Sequence, residues 1–434
     1  MAETKDNIES MEVSLDEKKT IQADSEPIDN GEGLDSLYSW AVATCGMLNY
    51  LMVFGNFNAF GIFQEYYVNT MFTQESASAI SWISTMSYTF TLSGGFFASI
   101  IISYIGIRKT TAFGWIVSCL GLLLASFSNK IWQLTLTQGF IFGFGSSILI
   151  NCSIVIPSLW FDKYRNLAIA ITSSGSGFGS LVVGPIVRKV IAQYGLHWSF
   201  RVLFFISFVV SGASVYFFKP RTTFTPSRNL VDLHLLKRPL TMFICAGGFF
   251  AEWGYIVLPL YFPSTIAEIG RSRVDASNAI IFFSAFSGIS RLLSSVMASR
   301  IGPNMSLIYA MFGSAILIFS MWLPFKSFIV YFVFVGLYGI TCPLFFPLTP
   351  VIISNNYEKK QLSQVNGLAF LFYGLSSLIG IPLMGFMVDK IGKRESYTSV
   401  KVLGGVVFIF AGIVMTAQYL YCRRYIPKLK TGKI

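Results

Sequence analysis

Twelve long apolar stretches restrict the fold of this sequence more than any other feature. They run over residues 37–63, 79–104, 110–128, 131–158, 164–187, 199–218, 240–265, 277–299, 305–324, 327–353, 362–388 and 399–422. A helix needs about 20 apolar residues to cross the hydrocarbon core of a bilayer, whereas a strand of a membrane barrel needs only about ten alternating residues. The stretches therefore predict an all-α polytopic membrane protein with twelve transmembrane helices.

Composition excludes several other classes of protein. Of the 434 residues, 53% are hydrophobic and only 12% are charged, whereas soluble domains carry about 25% charged residues. This excludes a cytosolic enzyme, a disordered protein, a fibrous repeat and a small disulfide-linked scaffold. The six cysteines form no CxxC pair; five lie inside the apolar stretches and Cys422 at the end of the last one, so we expect buried, apolar thiols. Neither a metal nor a cofactor is predicted.

A polar connection of about twenty residues divides the spans into two sets of six. The predicted domains are an acidic disordered cytosolic tail (1–36), an N-terminal six-helix half (37–218), a basic cytosolic linker (219–239), a C-terminal six-helix half (240–423) and a basic cytosolic tail (424–434). Two short repeats relate the halves: Ser103–Gly106 returns as Ser299–Gly302 (299 − 103 = 196 residues later), and Ser180–Pro185 as Ser377–Pro382 (377 − 180 = 197). These repeats indicate duplicated halves.

The net charge of +11 is spread unevenly along the chain. Residues 1–35 carry eleven acids and three bases (3 − 11 = −8), which leaves +19 on the rest. The bases lie in short connections between spans, which is typical of topology signals, so no nucleic-acid partner is predicted. The basic connection at 219–239 favours cytosolic termini. We expect the plasma membrane, with the vacuolar and endoplasmic reticulum membranes as alternatives.

A long motif extends from span 4 into span 6. It reads Gln138-Gly139, Gly143-x-Gly145, Pro157, Trp160-Phe-Asp-Lys-Tyr-Arg-Asn-Leu-Ala168, Gly175-Ser-Gly177-x-Gly179, Gly184-Pro185 and Gly195-x-x-Trp198-x-x-Arg201. This motif resembles the monocarboxylate porter family of the major facilitator superfamily, and its fungal branch in particular. The resemblance implies the major facilitator fold with two six-helix halves. It also implies secondary transport of a small organic solute, a monocarboxylate or related organic anion, with proton symport as an option.

Two charged residues lie within spans, where lipid makes charge costly. Arg291 lies in span 8 and Glu252 in span 7, and a charge at the bilayer centre costs about 3 kcal/mol on insertion scales. We take Arg291 as the only Arg or Lys within a span, so it should face the bundle interior. In the resembled family, an Arg in span 8 is associated with the substrate carboxylate, which a guanidinium fork suits. The alternatives are a structural pair with Glu252 and a side chain that reaches the cytosolic interface.

Two departures from the better-known animal members affect proton coupling. Ser287 stands where the family pattern has an Asp four residues before the Arg, and Asn58 where it has a proton-carrying Lys late in span 1. The proton relay of those carriers therefore does not transfer, and Glu252 is the best substitute proton carrier. The residues predicted to line the substrate cavity, with inter-helix hydrogen bonding as the alternative for each, are Asn58, Asn151, Tyr255 and Tyr373.

A further set of residues is predicted to support conformational change. Only Gly106, Arg108 and Lys109 remain of the basic superfamily loop after span 2, and Ser299-Arg300 stands at the equivalent place after span 8. Small residues let helices approach closely in lipid, and Gly and Pro permit bending; static packing is the alternative. The predicted conformational residues are Arg108, Lys109, Arg165, Gly175, Gly179, Gly184, Pro185, Arg300 and Pro382.

These observations favour an alternating-access transporter that binds a small-molecule substrate within the lipid bilayer. A carrier of a neutral or vitamin-type solute such as riboflavin is the alternative within this class, and a non-transporting nutrient sensor is the alternative outside it. An enzyme is not predicted, because the two histidines are far apart and no nucleophile elbow or metal cluster is visible. No ATP-binding loop is present.

Overall fold

The structure, a computed structural model, describes residues 33–221, 233–392 and 396–425, and every regular element in these ranges is a helix. Twelve helical segments cross the bundle. They are α1 (Leu37–Tyr66), α2 (Ala77–Ser93 and Gly95–Ile105), α3 (Ile107–Ala125), α4 (Ile131–Trp160), α5 (Arg165–Tyr194), α6 (Leu196–Phe217), α7 (Pro239–Glu268), α8 (Arg273–Arg300), α9 (Pro303–Trp322), α10 (Phe328–Asn356), α11 (Leu362–Lys390) and α12 (Thr398–Tyr425).

The twelve predicted stretches each coincide with one of these helices. Eleven helices in the described ranges are long and apolar enough to cross a membrane, and the two parts of α2 together make a twelfth. Local capping explains some of the ends: the Ser36 side chain accepts the Ser39 N–H at the start of α1, and Ser272 and Asp275 cap α8 reciprocally. Most of the predicted tails and of the predicted linker lies outside the described residues.

The two ends of the bundle are named here by the helix ends that they contain. The linker end holds the starts of the odd-numbered helices and the ends of the even-numbered ones, including the end of α6 and the start of α7, and the opposite end holds the other helix ends. An α-helix rises about 1.5 Å per residue, so the number of residues from the linker end measures depth in the bundle.

Helix α2 bends by 43° at Gly94, between its two parts. A methyl group at Gly94 would collide with the Ser147 side chain on α4, and one at Gly95 would come within 3.2 Å of the Phe370 Cβ on α11. The glycine pair therefore lets α4 and α11 approach the bend from two sides. Glycine is a common cause of sharp helix bends of this kind.

The two most extensive helix contacts between the halves are those of α5 with α8 and of α2 with α11. At the first, a methyl group at Gly177 would collide with the backbone of Gly288 and would lie 2.9 Å from the Ser287 carbonyl carbon. At the second, a methyl group at Gly374 would lie 2.8 Å from the Thr89 carbonyl oxygen. The halves therefore touch backbone to backbone, which small residues alone permit.

The glycines predicted to be conformational occupy other places. Gly175 and Gly179 pack against α1 within the N-terminal half, where a methyl group would lie within 3.0 Å of the Leu51 and Gly55 backbone nitrogens respectively. Nothing lies within 4 Å of a methyl group at Gly184. Of the three glycines in the Gly175–Gly179 motif, Gly177 is the one that contacts the other half. The motif alone did not reveal which side of α5 Gly177 occupies. Pro185 and Pro382 both lie inside their helices, α5 and α11.

The halves are also joined by hydrogen bonds toward the linker end. The Arg165 Nη1 donates to the Ser354 carbonyl oxygen at 3.5 Å, and Arg165 also pairs with Asp162 at 3.3 Å. The Ser363 hydroxyl on α11 donates to the Asn151 Oδ1 on α4 at 3.0 Å. The described structure is therefore closed between the halves at this end.

The two loops after α2 and α8 repeat the same backbone geometry. Gly106 has φ 79° and ψ 161°, and Gly302 has φ 87° and ψ 151°. Positive φ favours glycine, so these two glycines form equivalent joints into α3 and α9. The sequence repeat of Ser103–Gly106 and Ser299–Gly302 thus has a structural counterpart.

The side-chain hydrogen bonds described for these two loops stay within one half. Arg108 Nε donates to the Val215 carbonyl oxygen of α6 at 3.1 Å, within the N-terminal half. Ser103 and Ser299 donate to carbonyls of their own helices, at Ile100 and Val296. Lys109 and Arg300 are exposed.

The prediction that Arg291 is the only base within a span is wrong. Lys401 lies in α12, is 4% exposed, and donates to the Tyr331 hydroxyl at 3.0 Å and the Trp322 carbonyl oxygen at 3.3 Å. Arg201 lies in α6 with its guanidinium over the Trp198 ring at 5.0 Å. Both bases lie near the opposite end, where aromatic faces and a free helix carbonyl offset the cost of burial. The six cysteines are free and buried, as predicted.

Candidate functional site

Five helices bring polar and aromatic side chains to a similar depth in the bundle. Tyr50 of α1, Glu252 of α7, Arg291 of α8, Phe346 of α10 and Tyr373 of α11 each lie nine to thirteen residues from the linker end of their helix. This is a depth of about 14–20 Å. A transporter of this architecture binds its substrate near the bilayer midplane, between the halves, so we call this set of residues the central cluster.

Arg291 is 1% exposed and connects the two halves. Its Nη1 donates to the Ser173 carbonyl oxygen on α5 at 3.2 Å, and its guanidinium lies over the Phe346 ring with 4.7 Å to the centroid. Its Nε has no hydrogen-bond partner among the described residues. A buried guanidinium with a vacant donor and no direct ion pair within the described ranges can take an anion.

Glu252 lies one helix away from this guanidinium and is also 1% exposed. Within residues 33–221, 233–392 and 396–425, its Oε2 has no hydrogen-bond partner. The carboxyl group is within electrostatic range of Arg291, but no ion pair joins them in the part of the chain that the structure describes. The alternative of a tight structural pair is therefore not what the structure shows, and both groups keep binding capacity.

Phe346 is the centre of an aromatic wall beside Arg291. Its ring centroid lies 5.2 Å from Tyr255, 4.2 Å from Phe345, 6.2 Å from Tyr373 and 6.1 Å from Phe54. All five rings are buried, and the Tyr373 hydroxyl has no hydrogen-bond partner. Phe54 belongs to α1 and the other four rings to the C-terminal half, so the wall spans both halves.

The local chemistry of α10 places Phe345 and Phe346 here. The helix is interrupted by a 3₁₀ turn at Cys342–Leu344; Pro343 lies in the turn, and Pro347 and Pro350 follow in the next helical segment. Proline removes a backbone donor and breaks the regular helix. Sequence reasoning missed Phe345 and Phe346, although a proline-interrupted span is a recognised pointer to a transporter binding site.

Two of the residues predicted to line the cavity are not part of the central cluster: Asn151 links helices, and Asn58 lies at another depth. Asn151 donates through Nδ2 to the Gly95 carbonyl oxygen at 3.2 Å and accepts from Ser363, so its amide is used to join helices. Asn58 is half-buried and lies eight residues beyond Tyr50 along α1, about 12 Å nearer the opposite end. The structure therefore brings together Arg291, Glu252, Tyr255 and Tyr373 but not Asn58.

A metal centre is not part of this arrangement. Across residues 33–221, 233–392 and 396–425, no group of three His, Cys, Asp or Glu side chains is placed to hold a metal ion. The chemistry that the central cluster offers is one cation, one carboxyl group, hydroxyls and aromatic faces.

Two six-helix halves around a buried polar centre define a class of protein, the secondary transporters that work by alternating access. The family model described as Major Facilitator Superfamily matches residues 42–264 and 244–432. The chain therefore belongs to the major facilitator superfamily. It is an MFS-type membrane transporter and not an enzyme.

Curated relatives cover nearly the whole chain. The MFS transporter asaE of Aspergillus flavus is 26% identical over 410 residues, which are 93% of this chain and 92% of that protein. The agnestins efflux protein AgnL12 of Paecilomyces divaricatus is 26% identical over 377 residues, 86% of this chain and 84% of that protein.

Solved structures share the fold at low sequence identity. The proton:xylose symporter XylE, bound to 6-bromo-6-deoxy-D-glucose, has a TM-score of 0.70 and 14% identity, with 90% of this chain and 96% of that chain covered. The human organic anion transporter MFSD10 has a TM-score of 0.67 and 11% identity, with 87% and 99% covered.

Proposed function

We propose that this protein is a secondary transporter of a small organic anion, a monocarboxylate or a related acid, that works by alternating access. One observation carries the proposal: Arg291 is fully buried at the depth of the midplane, has a vacant donor and, among the residues that the structure describes, is not paired directly with an acid. A cation in that position is costly unless it serves an anion. The similarity of the span 4–6 motif to monocarboxylate porters supports the same substrate class.

The contact between Arg291 and Ser173 suggests how binding couples to movement. In the described state, the guanidinium donates to a carbonyl of the N-terminal half at 3.2 Å. A substrate carboxylate is a stronger acceptor than a carbonyl and takes two donors from the guanidinium fork. Binding then exchanges an inter-half hydrogen bond for substrate contacts, and the halves become free to rock around the occupied site.

Glu252 is the proposed proton carrier. A proton on its carboxyl group would accompany the substrate anion, so that the loaded site carries no extra negative charge through the bilayer. Asn58 and Ser287 cannot take this role, because an amide and an alcohol do not titrate in the physiological range.

Glu252→Gln is expected to retain substrate binding but to lose the dependence of uptake on the proton gradient, because an amide cannot carry the proton. Uptake of labelled lactate and benzoate into proteoliposomes, with and without an imposed pH gradient, measures this. Glu268→Gln is the matched control, since Glu268 pairs with Lys326 at 2.9 Å near the opposite end and should keep the gradient dependence. Gradient-driven uptake that persists in Glu252→Gln contradicts the coupling role and leaves the anion site standing.

A neutral, flat solute of the vitamin type, such as riboflavin, is the second candidate substrate. The aromatic wall around Phe346 favours it, because ring faces bind planar solutes irrespective of charge. One relative is named as an efflux protein, so export is considered beside uptake as a direction of transport. Right-side-out and inside-out vesicles, each tested with lactate and riboflavin, distinguish these cases.

We propose that both termini are cytosolic and that the plasma membrane holds the protein. The start of α1 and the end of α12 share one end of the bundle with the basic connection between the halves, and basic connections favour the cytosol. We expect a C-terminal tag to bind its antibody only after permeabilisation of the cells. Labelling of intact cells would reverse the orientation.

A further inference from the structure

We infer that the transported anion is an aromatic acid that carries a hydroxyl group away from its carboxylate, such as a hydroxybenzoate. This rests on the proposed function, in which Arg291 receives the carboxylate. It goes further because it assigns Phe346, Tyr373 and Glu252 as determinants of which acid is accepted.

The aromatic wall is arranged to cover a flat ring. The Tyr255 and Tyr373 rings lie nearly perpendicular to Phe346, at 86° and 89°, and Phe345 lies against it at 30°. Edge-to-face and offset-stacked contacts of this kind are the favourable ones for aromatic rings. A substrate ring that replaces one of these ring–ring contacts makes contacts of the same kind, whereas a short aliphatic acid cannot make them.

The Arg291 guanidinium lies over the same wall. Its carbon is 4.7 Å from the Phe346 centroid, so the position of the carboxylate and the position of the ring are adjacent. An acid whose carboxylate is attached directly to a ring, or through one carbon, therefore reaches both with one rigid molecule. Rigid substrates lose little conformational entropy on binding.

Two further polar groups of the central cluster call for a hydroxyl group on the substrate. The Glu252 Oε2 and the Tyr373 hydroxyl are both buried and lack hydrogen-bond partners, and a buried polar group without a partner is costly. A hydroxyl donates to Glu252 when that group is ionised and accepts from it when it carries a proton, so it suits both protonation states. The same hydroxyl has capacity for the Tyr373 O–H.

The broken helix explains why two consecutive phenylalanines serve one site. In a regular helix, residues i and i+1 point about 100° apart. The 3₁₀ turn at Cys342–Leu344 directly precedes Phe345 and Phe346, and the two rings lie 4.2 Å apart in a stacked arrangement. The proline-rich break therefore builds the ring-binding face.

The test uses the full chain in proteoliposomes with labelled 4-hydroxybenzoate, benzoate and lactate as probes. We expect the highest affinity for 4-hydroxybenzoate, with benzoate and lactate each weaker by about tenfold, the size of one buried hydrogen bond or ring contact. Phe346→Leu should weaken both aromatic acids about tenfold and lactate less, because lactate has no ring to lose contact with. Tyr373→Phe, which keeps the shape of the side chain, should weaken 4-hydroxybenzoate more than benzoate or lactate. Phe282→Leu is the control, since that ring packs against Phe332 and Phe286 outside the cluster.

The outcomes separate this inference from the proposed function. Lactate uptake equal to that of 4-hydroxybenzoate, with Phe346→Leu affecting all three probes alike, overturns the aromatic substrate class and leaves an anion transporter. Uptake of none of the three acids overturns the proposed function and the inference together. Should Phe346→Leu fail to fold, the Tyr373→Phe result decides the hydroxyl assignment by itself.

Discussion

Arg291→Ala is expected to abolish transport of organic acids by protein that reaches the membrane. The side chain is 1% exposed and supplies the only guanidinium of the central cluster, so its removal leaves a substrate carboxylate without a charged donor. Loss of one partner of a buried charge pair costs about 2–5 kcal/mol, which corresponds to a loss of affinity of about 30-fold or more. Labelled-acid uptake, normalised to the amount of protein in the membrane, measures it.

Arg291→Lys refines this expectation. A lysine keeps the charge but lacks the planar fork, and it loses one charge-assisted hydrogen bond, so affinity should fall about tenfold while folding is retained. Arg201→Gln is the matched control, because Arg201 also lies within a helix but stacks on Trp198 near the opposite end. Uptake by Arg291→Ala equal to that of the wild type would end the anion-site proposal and leave a neutral solute as the substrate.

Gly177→Ala is expected to reduce transport strongly by separating α5 from α8. The added methyl group would meet the backbone of Gly288 and Ser287, and backbone cannot move aside as a flexible side chain can. Overpacking of this kind costs about 1–3 kcal/mol, which shifts the ratio of closed to open protein about 5- to 150-fold. Uptake rate and labelling of a Ser363→Cys reporter by an impermeant maleimide measure the two consequences.

Gly184→Ala provides the control on the same helix. Nothing lies within 4 Å of the methyl group that it adds, so uptake and reporter labelling should match the wild type. Ser363 is 8% exposed in the closed arrangement, and its labelling should rise only in Gly177→Ala. Normal uptake and unchanged labelling in Gly177→Ala would show that the α5–α8 approach is not needed for the transport cycle.

Local sequence properties determined the transmembrane helices, because hydropathy over about 20 residues is enough to place a helix in a bilayer. They also identified Arg291 and Glu252, because a charge within a span is costly whatever the rotation of the helix about its axis. The repeat of Gly106 at Gly302 was readable for a similar reason: positive φ restricts those positions to glycine regardless of the rest of the fold.

Tertiary structure alone decided which side chains meet. The Gly175–Gly179 motif contains three glycines, but only the rotation and tilt of α5 turn Gly177 toward the other half and the remaining two toward α1. Asn151 is a cavity candidate by sequence and a link between helices in the fold, because Gly95 and Ser363 happen to face it. Phe345 and Phe346 are two of 42 phenylalanines, and the break in α10 is what brings them to Arg291. Contacts of this kind depend on helix rotation and on departures from regular helix geometry, which no local property of the sequence encodes.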